Sequence, residues 1–399
     1  MSSAYDNVDS AVCMDSLVEK MRSQRAFLSF ELTPPLSADT SAFIAKIKDA
    51  LAQTTRNQNL DSKSSAKSSV ANNGATHTAQ NALGENLDSN NASYCTPHKT
   101  LREKIDAFVC TDSPLARFKP SSILSSIKLQ NALGKPLICT LSMRDRNSIA
   151  LCGEILAANE FDLRAFLTLT GDPIKLGDCK ESKAVFEENS LKLARIIKDL
   201  NSGIALNGKP LNAPPRKIYN FAVINSYANN PASLKTKLKR KLLNAPVCAF
   251  FTQPIFARES AEFLLEALDS AKREIMEGSE NPSENPNKQG EAKSKQMGQD
   301  FAQESRFLSQ DCIHHTQMIF GFFPVLSFKA ALFLRDKLPG VFIPQVWLEK
   351  LKSASAKGKE YEREIGLELS RKVWEDLRTL HPKIHFMSSN HIELLGEFV

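Results

Sequence analysis

Eight short apolar runs recur along the chain, and each of the first seven is followed by a segment with helical periodicity. The runs lie at residues 27–32, 107–112, 136–142, 165–169, 219–225, 248–254, 318–325 and 384–388. Short apolar strands that alternate with helices are typical of a parallel sheet covered on both faces. We therefore predict an α/β fold, a (β/α)8 TIM barrel in which all strand C-termini open on one face.

An open, doubly wound sheet is the alternative fold for this alternation. Such sheets usually hold nucleotides on a G-x-G-x-x-G or G-x-x-x-x-G-K-[ST] loop that directly follows a strand. No strand of this chain leads into either loop. The barrel is therefore favoured over the open sheet.

The helical segments are marked by capping residues and by apolar periodicity. Asn189 is predicted as the N-cap of a helix whose apolar residues 193, 196, 197 and 200 share one face, and Gly203 as the point where it stops. Further helices are predicted at 40–53, 119–133, from 147, at 232–244, around 261–268, from 327 and within 344–380.

Two polar segments interrupt this alternation, at residues 54–100 and 276–308. Both are poor in large apolar side chains, so we predict that they are disordered inserts. Each follows a predicted helix and precedes a strand, which places it in an αβ loop on the face opposite the strand C-termini. The chain of 399 residues is then a single barrel domain with about 300 ordered residues.

Composition and charge limit the classes of partner and the cellular compartment that we expect for the protein. The net charge of +6 comes from 51 basic and 45 acidic residues, which requires no nucleic-acid partner. The eight cysteines contain no C-x-x-C pair, which is typical of a reducing cytoplasm. The N-terminus resembles no export signal and no apolar run is long enough for a membrane span. We expect a cytoplasmic protein that acts on a small molecule, with homo-oligomerisation left open.

The ends of the predicted strands carry polar residues, and a barrel brings these ends together whatever their separation in sequence. They are Glu31, Thr111, Asp112, Ser142, Asp172, Asn225, Gln253 and Ser388. The fourth end, Thr170-Gly171-Asp172-Pro173, combines turn residues with an acid at the mouth of a buried strand. From the residues alone, Asp172 either caps a turn or faces a cofactor. Cys312, His314 and His315 precede the seventh strand without a well-spaced second ligand pair, so no metal site is predicted.

Several motifs follow one another in a recognisable order. They are Ser29-Phe-Glu-Leu-Thr-Pro-Pro35, Thr111-Asp112, Arg144-Asp-Arg-Asn147, Leu169-Thr-Gly-Asp-Pro173, Lys239-Arg-Lys241, Thr252-Gln-Pro-Ile-Phe256 and Pro324-Val325. In this order and spacing they resemble methylenetetrahydrofolate reductase, with the greatest likeness to the reductase half of bacterial enzymes that fuse it to a homocysteine S-methyltransferase. The resemblance implies an FAD-containing TIM barrel of one-carbon metabolism and methionine biosynthesis. It would use NADH or NADPH to reduce 5,10-methylenetetrahydrofolate to 5-methyltetrahydrofolate.

The resemblance also implies roles for individual residues. Glu31 matches the general acid that opens the substrate ring, and burial on an apolar strand favours the protonated form that this step needs. Asp172 matches the acid between flavin and folate, and Gln253 matches a folate-binding glutamine. The positions that match flavin contacts are Thr111, Thr170, Gly171 and Lys241, the last through the phosphates.

Four positions depart from the family pattern. Thr140 replaces a flavin-contacting histidine and Phe186 a tyrosine, whereas Ala330 and His391 replace a glutamine and an arginine on the folate side. Two alternatives therefore stay open. One is a related flavoprotein reductase that takes electrons from a partner protein, and the other is a folate- or flavin-binding protein without turnover.

Overall fold

The structure, a computed structural model, describes residues 13–52, 99–280, 311–338 and 340–399. Eight parallel strands form a closed barrel in the order β1 to β8, with β1 paired to β8. The strands are β1 Phe27–Leu32, β2 Ala107–Cys110, β3 Leu137–Ser142, β4 Ala165–Leu169, β5 Tyr219–Ile224, β6 Ala249–Pro254, β7 Gln317–Phe322 and β8 Lys383–Phe386. The predicted TIM barrel is confirmed, and the open sheet is excluded because the first and last strands pair.

Helices follow the strands around the outside of the barrel. They are α1 Met14–Arg22, α2 Ser41–Ala52, α3 Leu101–Lys104, α4 Ser122–Leu133, α5 Ser148–Glu160, α6 Ser190–Asn201, α7 Pro231–Asn244, α8 Arg258–Glu280, α9 Phe328–Lys337, α10 Gln345–Ser355 and α11 Lys359–Leu380. No helix in the described ranges is both long and apolar enough to cross a membrane. As predicted, the Asn189 side chain caps α6 by accepting from Leu191 N–H, and Gly203 follows the helix with φ 72°.

Two of the differences from the predicted boundaries concern the strand end at the mouth and the second predicted insert. Strand β2 ends at Cys110, so that Thr111 and Asp112 belong to the loop after it. Helix α8 continues to Glu280, because Glu and Met are good helix formers and a solvated extension needs no apolar stripe. The rest of the two predicted inserts lies outside the described residues, except Lys99 and Thr100, and their disorder stays a prediction.

Side chains alternate between the barrel interior and the layer under the helices. Along β1, Phe27 belongs to the interior cluster, whereas Phe30 and Leu32 belong to the outer core. The interior cluster is formed mainly by apolar residues of the lower and middle barrel, including Val109, Ile138, Leu167, Phe221, Phe251 and Ile319. The lower and middle parts of the barrel are therefore a packed core, and the polar interior residues Ser29, Glu31 and His385 lie towards the upper end.

Helix α1, which the sequence analysis did not predict, closes the lower end of the barrel. Its buried residues Met14, Leu17, Val18 and Met21 pack onto the interior cluster. Asp15 anchors the helix by accepting hydrogen bonds from the Arg164 guanidinium and the Tyr219 hydroxyl. With the N-terminal end plugged, the C-terminal end is the open mouth of the barrel.

The turn between α1 and β1 is held by a fully buried lysine of β8. The Lys383 ammonium donates to the carbonyl oxygens of Ser23 and Arg25, at 2.6 and 3.0 Å. Burial, with a contribution from Lys20, lowers the pKa of Lys383. These two bonds satisfy a charge that would otherwise be costly inside the barrel floor.

Candidate functional site at the barrel mouth

Glu31, His385 and Ser29 form a polar group in the barrel interior just below the mouth. Ser29 Oγ lies 3.0 Å from His385 Nδ1, and Glu31 Oε2 lies 3.7 Å from His385 Nε2. Strands β1 and β8 are paired in register at Ser29 and His385, which places both side chains on the interior face. The histidine is 4% exposed and Phe251 packs edge-on against it at 5.3 Å, so the imidazole is fixed by its surroundings.

Glu31, the predicted general acid, lies on the interior face of β1 near the mouth of the barrel, and its catalytic role stays a prediction. The Glu31 side chain is 26% exposed, so it is reached from the mouth while its neighbours are buried. The separation of 3.7 Å between Glu31 Oε2 and His385 Nε2 is longer than a direct hydrogen bond. The arrangement thus brings a carboxyl group and an imidazole together just below the mouth.

Gln253, the predicted folate contact, lies on a β-bulge. Strand β6 pairs with β7 at Phe251 and Ile319, but the next pair joins Pro254 to Gly321, so β6 carries one extra residue. Bulges bend a strand and re-aim a side chain, and they are frequent beside active sites. A Cβ at Gly321 would lie 2.4 Å from the Thr252 carbonyl oxygen, so only glycine allows this close approach. The bulge in β6 therefore determines the position of the half-buried Gln253 side chain.

Asp172 holds the loop that follows β2. Its Oδ2 accepts a hydrogen bond from Leu115 N–H at 2.7 Å. Ser113, Leu115 and Ala116 all have positive φ, which costs energy in residues other than glycine. This hydrogen bond is a capping contact to the loop after β2, and the role of Asp172 towards a cofactor stays a prediction.

Other groups from the β3 and β4 loops hold the same segment. The Arg144 guanidinium donates to the Ser113 carbonyl oxygen at 3.2 Å, and Asp178 accepts from Phe118 N–H at 2.9 Å. A Cβ at Gly177 would lie 2.0 Å from the Ala116 carbonyl oxygen, which shows how closely the two loops pack. The loop after β2 is thus fixed over the mouth rather than free to move away.

Gly171 lets the β4 end approach the β3 end. Its φ is +99°, and an added Cβ would lie 2.7 Å from Arg144 Cβ and 3.3 Å from Ser142 Cβ. Alanine would therefore be strained in its backbone and would collide with its neighbours. The sequence analysis assigned Gly171 to flavin contact through the resemblance, and the structure gives it a packing role as well.

Asp112 is the centre of a buried ionic network between the β2 and β3 ends. It accepts from the backbone N–H and the hydroxyl of Ser142, both at 2.9 Å, and from the Arg146 guanidinium. Arg146 also pairs with Glu154 at 3.1 Å. The R-D-R-N motif thus supplies a structural arginine, and Asp112 and Ser142 are occupied in positioning the loop rather than directed at the mouth.

A chain of polar contacts connects Lys241 to the end of β4. The Lys241 ammonium donates to Ser190 Oγ at 3.2 Å, and Ser190 N–H donates to Thr170 Oγ1 at 3.1 Å. Burial, with nearby Arg240 and Lys237, lowers the pKa of Lys241 to about 8. Within the described ranges, no acidic side chain forms a salt bridge with this lysine.

These contacts can be compared with those that the phosphates of a bound FAD would need. A half-buried ammonium beside a helix N-terminus, with only a hydroxyl partner among the described residues, is suited to a phosphate group. Lys241, Ser190 and Thr170 therefore fit the phosphates of FAD, as the resemblance implies for Lys241 and Thr170. Of the other predicted flavin contacts, Thr140 is buried on β3, and Phe186 is half-buried with a positive φ of 35°.

The loops after β8, β1 and β2 are joined by two contacts. Asn390 exchanges two hydrogen bonds of 2.8 Å with the backbone N–H and carbonyl of Thr33. The Thr111 hydroxyl donates to the Thr33 hydroxyl at 3.1 Å. Thr111, a predicted flavin contact, is thereby fixed to the loop that follows Glu31.

His391, one of the two replaced folate contacts, is turned to solvent. Its side chain is 63% exposed, and Nδ1 lies 3.2 Å from Glu393 Oε1. Ala330, the other, is half-buried on α9, where Ser327 caps its backbone N–H. Neither residue supplies the mouth with the polar group that the family pattern places there.

The sequence analysis missed Ser29, His385 and Asn390 as site residues. The signal for the first two was present, because polar residues at alternating positions of an apolar strand face the same side as the acid two residues away. Asn390 carried no such signal, since its contact depends on the left-handed backbone of the β8 loop (φ 71°).

Comparisons with known proteins leave the family open. No sequence profile of a known family and no curated protein sequence matches the chain. Among solved structures, an uncharacterised protein from Clostridium thermocellum that binds two copies of 5-methyl-5,6,7,8-tetrahydrofolic acid is similar, with TM-score 0.49, 13% identity and 96% of each chain covered. EDTA monooxygenase from Chelativorans sp. BNC1 has TM-score 0.41 and 10% identity, covering 75% of this chain and 82% of its own. DmoA from Hyphomicrobium sulfonivorans has TM-score 0.40 and 8% identity, covering 75% and 78%. Likenesses this distant carry no functional argument.

Proposed function

We propose that this protein is an FAD-dependent reductase that converts 5,10-methylenetetrahydrofolate to 5-methyltetrahydrofolate with NADH or NADPH as the reductant. The observation that carries the proposal is the position of Glu31. The residue that the sequence motifs assign as general acid lies inside the barrel at its mouth, 3.7 Å from a buried histidine. The proposal joins this geometry to the motif resemblance.

Glu31 supplies the proton in the proposed reaction. Its carboxyl group donates to a nitrogen of the five-membered substrate ring, the carbon–nitrogen bond breaks, and the methylene carbon becomes an iminium ion. Addition of a hydride to that carbon gives the methyl group of the product. His385 keeps the Glu31 side chain in position and returns a proton to it between turnovers, and Ser29 fixes the orientation of the imidazole.

The remaining groups bind and orient the reactants. FAD, when bound, would supply the chemistry of a two-stage hydride relay from the reduced nicotinamide to the folate. Lys241, Ser190 and Thr170 would hold its phosphates. Asp172 places a negative charge at the end of β4, which favours the cationic folate intermediate. Gln253, aimed by the bulge, would hydrogen-bond the pterin.

A non-catalytic folate- or flavin-binding protein is the second candidate function. The exposed, Glu393-paired position of His391 and the alanine at 330 favour it, because both remove polar contacts from the folate side. A reductase that depends on a partner protein for electrons would share the flavin site with the proposed enzyme.

Flavin content and reduction by nicotinamide distinguish these functions. We expect the purified protein to be yellow with one FAD per chain, and anaerobic NADH or NADPH to bleach it without any added protein. Bleaching only after addition of a cell extract would favour the partner-dependent reductase. A colourless protein that FAD does not reconstitute would contradict the proposed function.

A further inference from the structure

A second cavity lies at the opposite end of the barrel from Glu31. It has a volume of about 740 Å³ and lies between the C-terminal turns of α6 and α7 and the beginnings of β5 and β6. In a barrel of this kind, the N-terminal ends of strands and the C-terminal ends of helices share the lower face. The cavity is therefore separate from the proposed active site, and its volume is within the range of small-molecule sites.

Basic groups dominate the polar part of this lower cavity. Arg22, Lys198 and Lys217 line it, and Asp311, the acid of the lining, is directed to His315 at 3.3 Å. Neither lysine forms a salt bridge among the residues that the structure describes. Lys217 instead lies over the Tyr219 ring, with its ammonium 5.5 Å from the ring centroid. The cavity thus has an excess of positive charge.

Arg22, the least exposed of these three cations, has a side-chain nitrogen without a hydrogen-bond partner among the described residues. Arg22 Nε is buried and has no hydrogen-bond partner in the described part of the chain. Arg22 Nη2 lies 3.7 Å from the Cys312 sulfur, and a thiol is only a weak acceptor. Guanidinium groups usually pair with carboxylates or phosphates, and Arg22 forms no salt bridge with an acidic side chain among the described residues, so its charge at the cavity wall is not neutralised by a partner.

The rest of the wall is apolar. Ala194 and Ile197 of α6, Leu242 and Leu243 of α7, and Ala245 and Pro246 contribute to it. The side chains of the two asparagines in the lining already form hydrogen bonds to the backbone. Asn201 donates to the Ile218 carbonyl oxygen and accepts from the Ile218 N–H, and Asn220 donates to the Pro246 carbonyl oxygen. An occupant therefore meets cations at the rim and floor and hydrocarbon along the sides.

We propose that this lower cavity binds an amphipathic organic anion, a carboxylate or similar acid carried on an apolar or aromatic body. The acid group meets Arg22, with Lys198 and Lys217 at the entrance, and the body lies against the α6 and α7 side chains. The site does not depend on the proposed reductase activity, because none of its residues belongs to the barrel mouth.

The probe is 8-anilinonaphthalene-1-sulfonate, an aromatic anion, titrated into the purified full-length protein by isothermal calorimetry. The test variant is Lys198→Met/Lys217→Met, and the charge-matched control is Lys128→Met/Lys352→Met, whose lysines are exposed on α4 and α10. We expect saturable binding of one probe per chain, weakened roughly tenfold or more in the test variant and unchanged in the control. Equal affinity in all three proteins would overturn the proposal.

Two further experiments test which chemical features of a ligand the cavity recognises. Decanoate should displace the probe, whereas inorganic phosphate at the same concentration should not, because phosphate lacks an apolar body. Displacement by phosphate but not by decanoate would contradict an amphipathic ligand. Arg22→Met, checked by its thermal melting curve, should weaken the probe further. Because Lys198 and Lys217 are exposed, the double variant retains the fold and remains decisive if Arg22→Met does not fold.

Discussion

Glu31 and His385 face each other inside the barrel, 354 positions apart in the chain and with Oε2 and Nε2 separated by 3.7 Å. The closure of the barrel between β1 and β8 brings them together. We propose that this carboxyl and this buried imidazole act together in proton transfer to the substrate. The proposed reductase mechanism depends on this pair.

Replacement of the acid should separate the two half-reactions. Glu31→Gln keeps the size of the side chain and removes its exchangeable acid proton. We expect FAD content and the rate of flavin reduction by nicotinamide to stay near wild type, and folate reduction to fall by about 10²- to 10⁴-fold. Rapid-mixing spectroscopy of each half-reaction measures this. Folate reduction at the wild-type rate would refute the role of Glu31.

His385→Gln should affect the folate half-reaction through Glu31 and leave flavin reduction unchanged. We expect a fall of roughly 10- to 100-fold in kcat with little change in KM, because the imidazole acts on the acid and not on substrate binding. Ser29→Ala is the milder comparison, since Phe251 still packs against the ring. If His385→Gln raised KM for folate and left kcat intact, the histidine would be a substrate contact instead.

Asp172 combines two roles that a pair of substitutions separates. Asp172→Asn keeps an acceptor for Leu115 N–H and removes the charge, whereas Asp172→Ala removes both. We expect both variants to slow folate reduction, and only the alanine variant to lose about 1–2 kcal/mol of unfolding free energy, because the strained loop after β2 is released. Denaturant unfolding and turnover assays measure the two effects. Equal stability of the two variants would mean that the hydrogen bond to Leu115 contributes nothing.

The pH dependence of FAD binding should report on Lys241. The pKa of its ammonium in the free protein is about 8, lowered by burial and neighbouring cations, and a bound phosphate would raise it again. Below that pH the lysine is already charged; above it, FAD binding must take up a proton, so affinity should fall about tenfold per pH unit. Lys241→Met should bind FAD more weakly at pH 7 and lose this dependence. An identical pH profile in the variant would exclude Lys241 from phosphate binding.

The barrel, and the placement of Glu31 and Gln253 near the strand C-termini, followed from local sequence patterns. Apolar strands ending in polar residues gave the positions of Glu31 and Gln253, because strand C-termini converge in any closed parallel barrel. The bulge that aims Gln253 was not predictable, since it is a register shift between β6 and β7 and not a property of either strand. The contact of Asp172 with Leu115 depends on left-handed backbone in non-glycine residues, which no residue preference indicates.

Helix α1 escaped prediction for a different reason. Its four buried residues make an apolar face, but a nine-residue helix is marginal by itself and forms because it covers the open floor of the barrel. The partners of Asp15, Arg164 and Tyr219, belong to distant parts of the chain. Tertiary packing, and not local propensity, determines this element.

The most direct test of the proposed function is a single-turnover experiment on the FAD-loaded protein. The flavin is first reduced photochemically under anaerobic conditions, without nicotinamide, and 5,10-methylenetetrahydrofolate is then added. We predict that the yellow oxidised flavin returns and that one 5-methyltetrahydrofolate forms per chain in the wild-type protein, and that neither happens in Glu31→Gln on the same timescale. Reduced flavin that stays reduced in the wild-type protein at saturating folate would contradict the reductase.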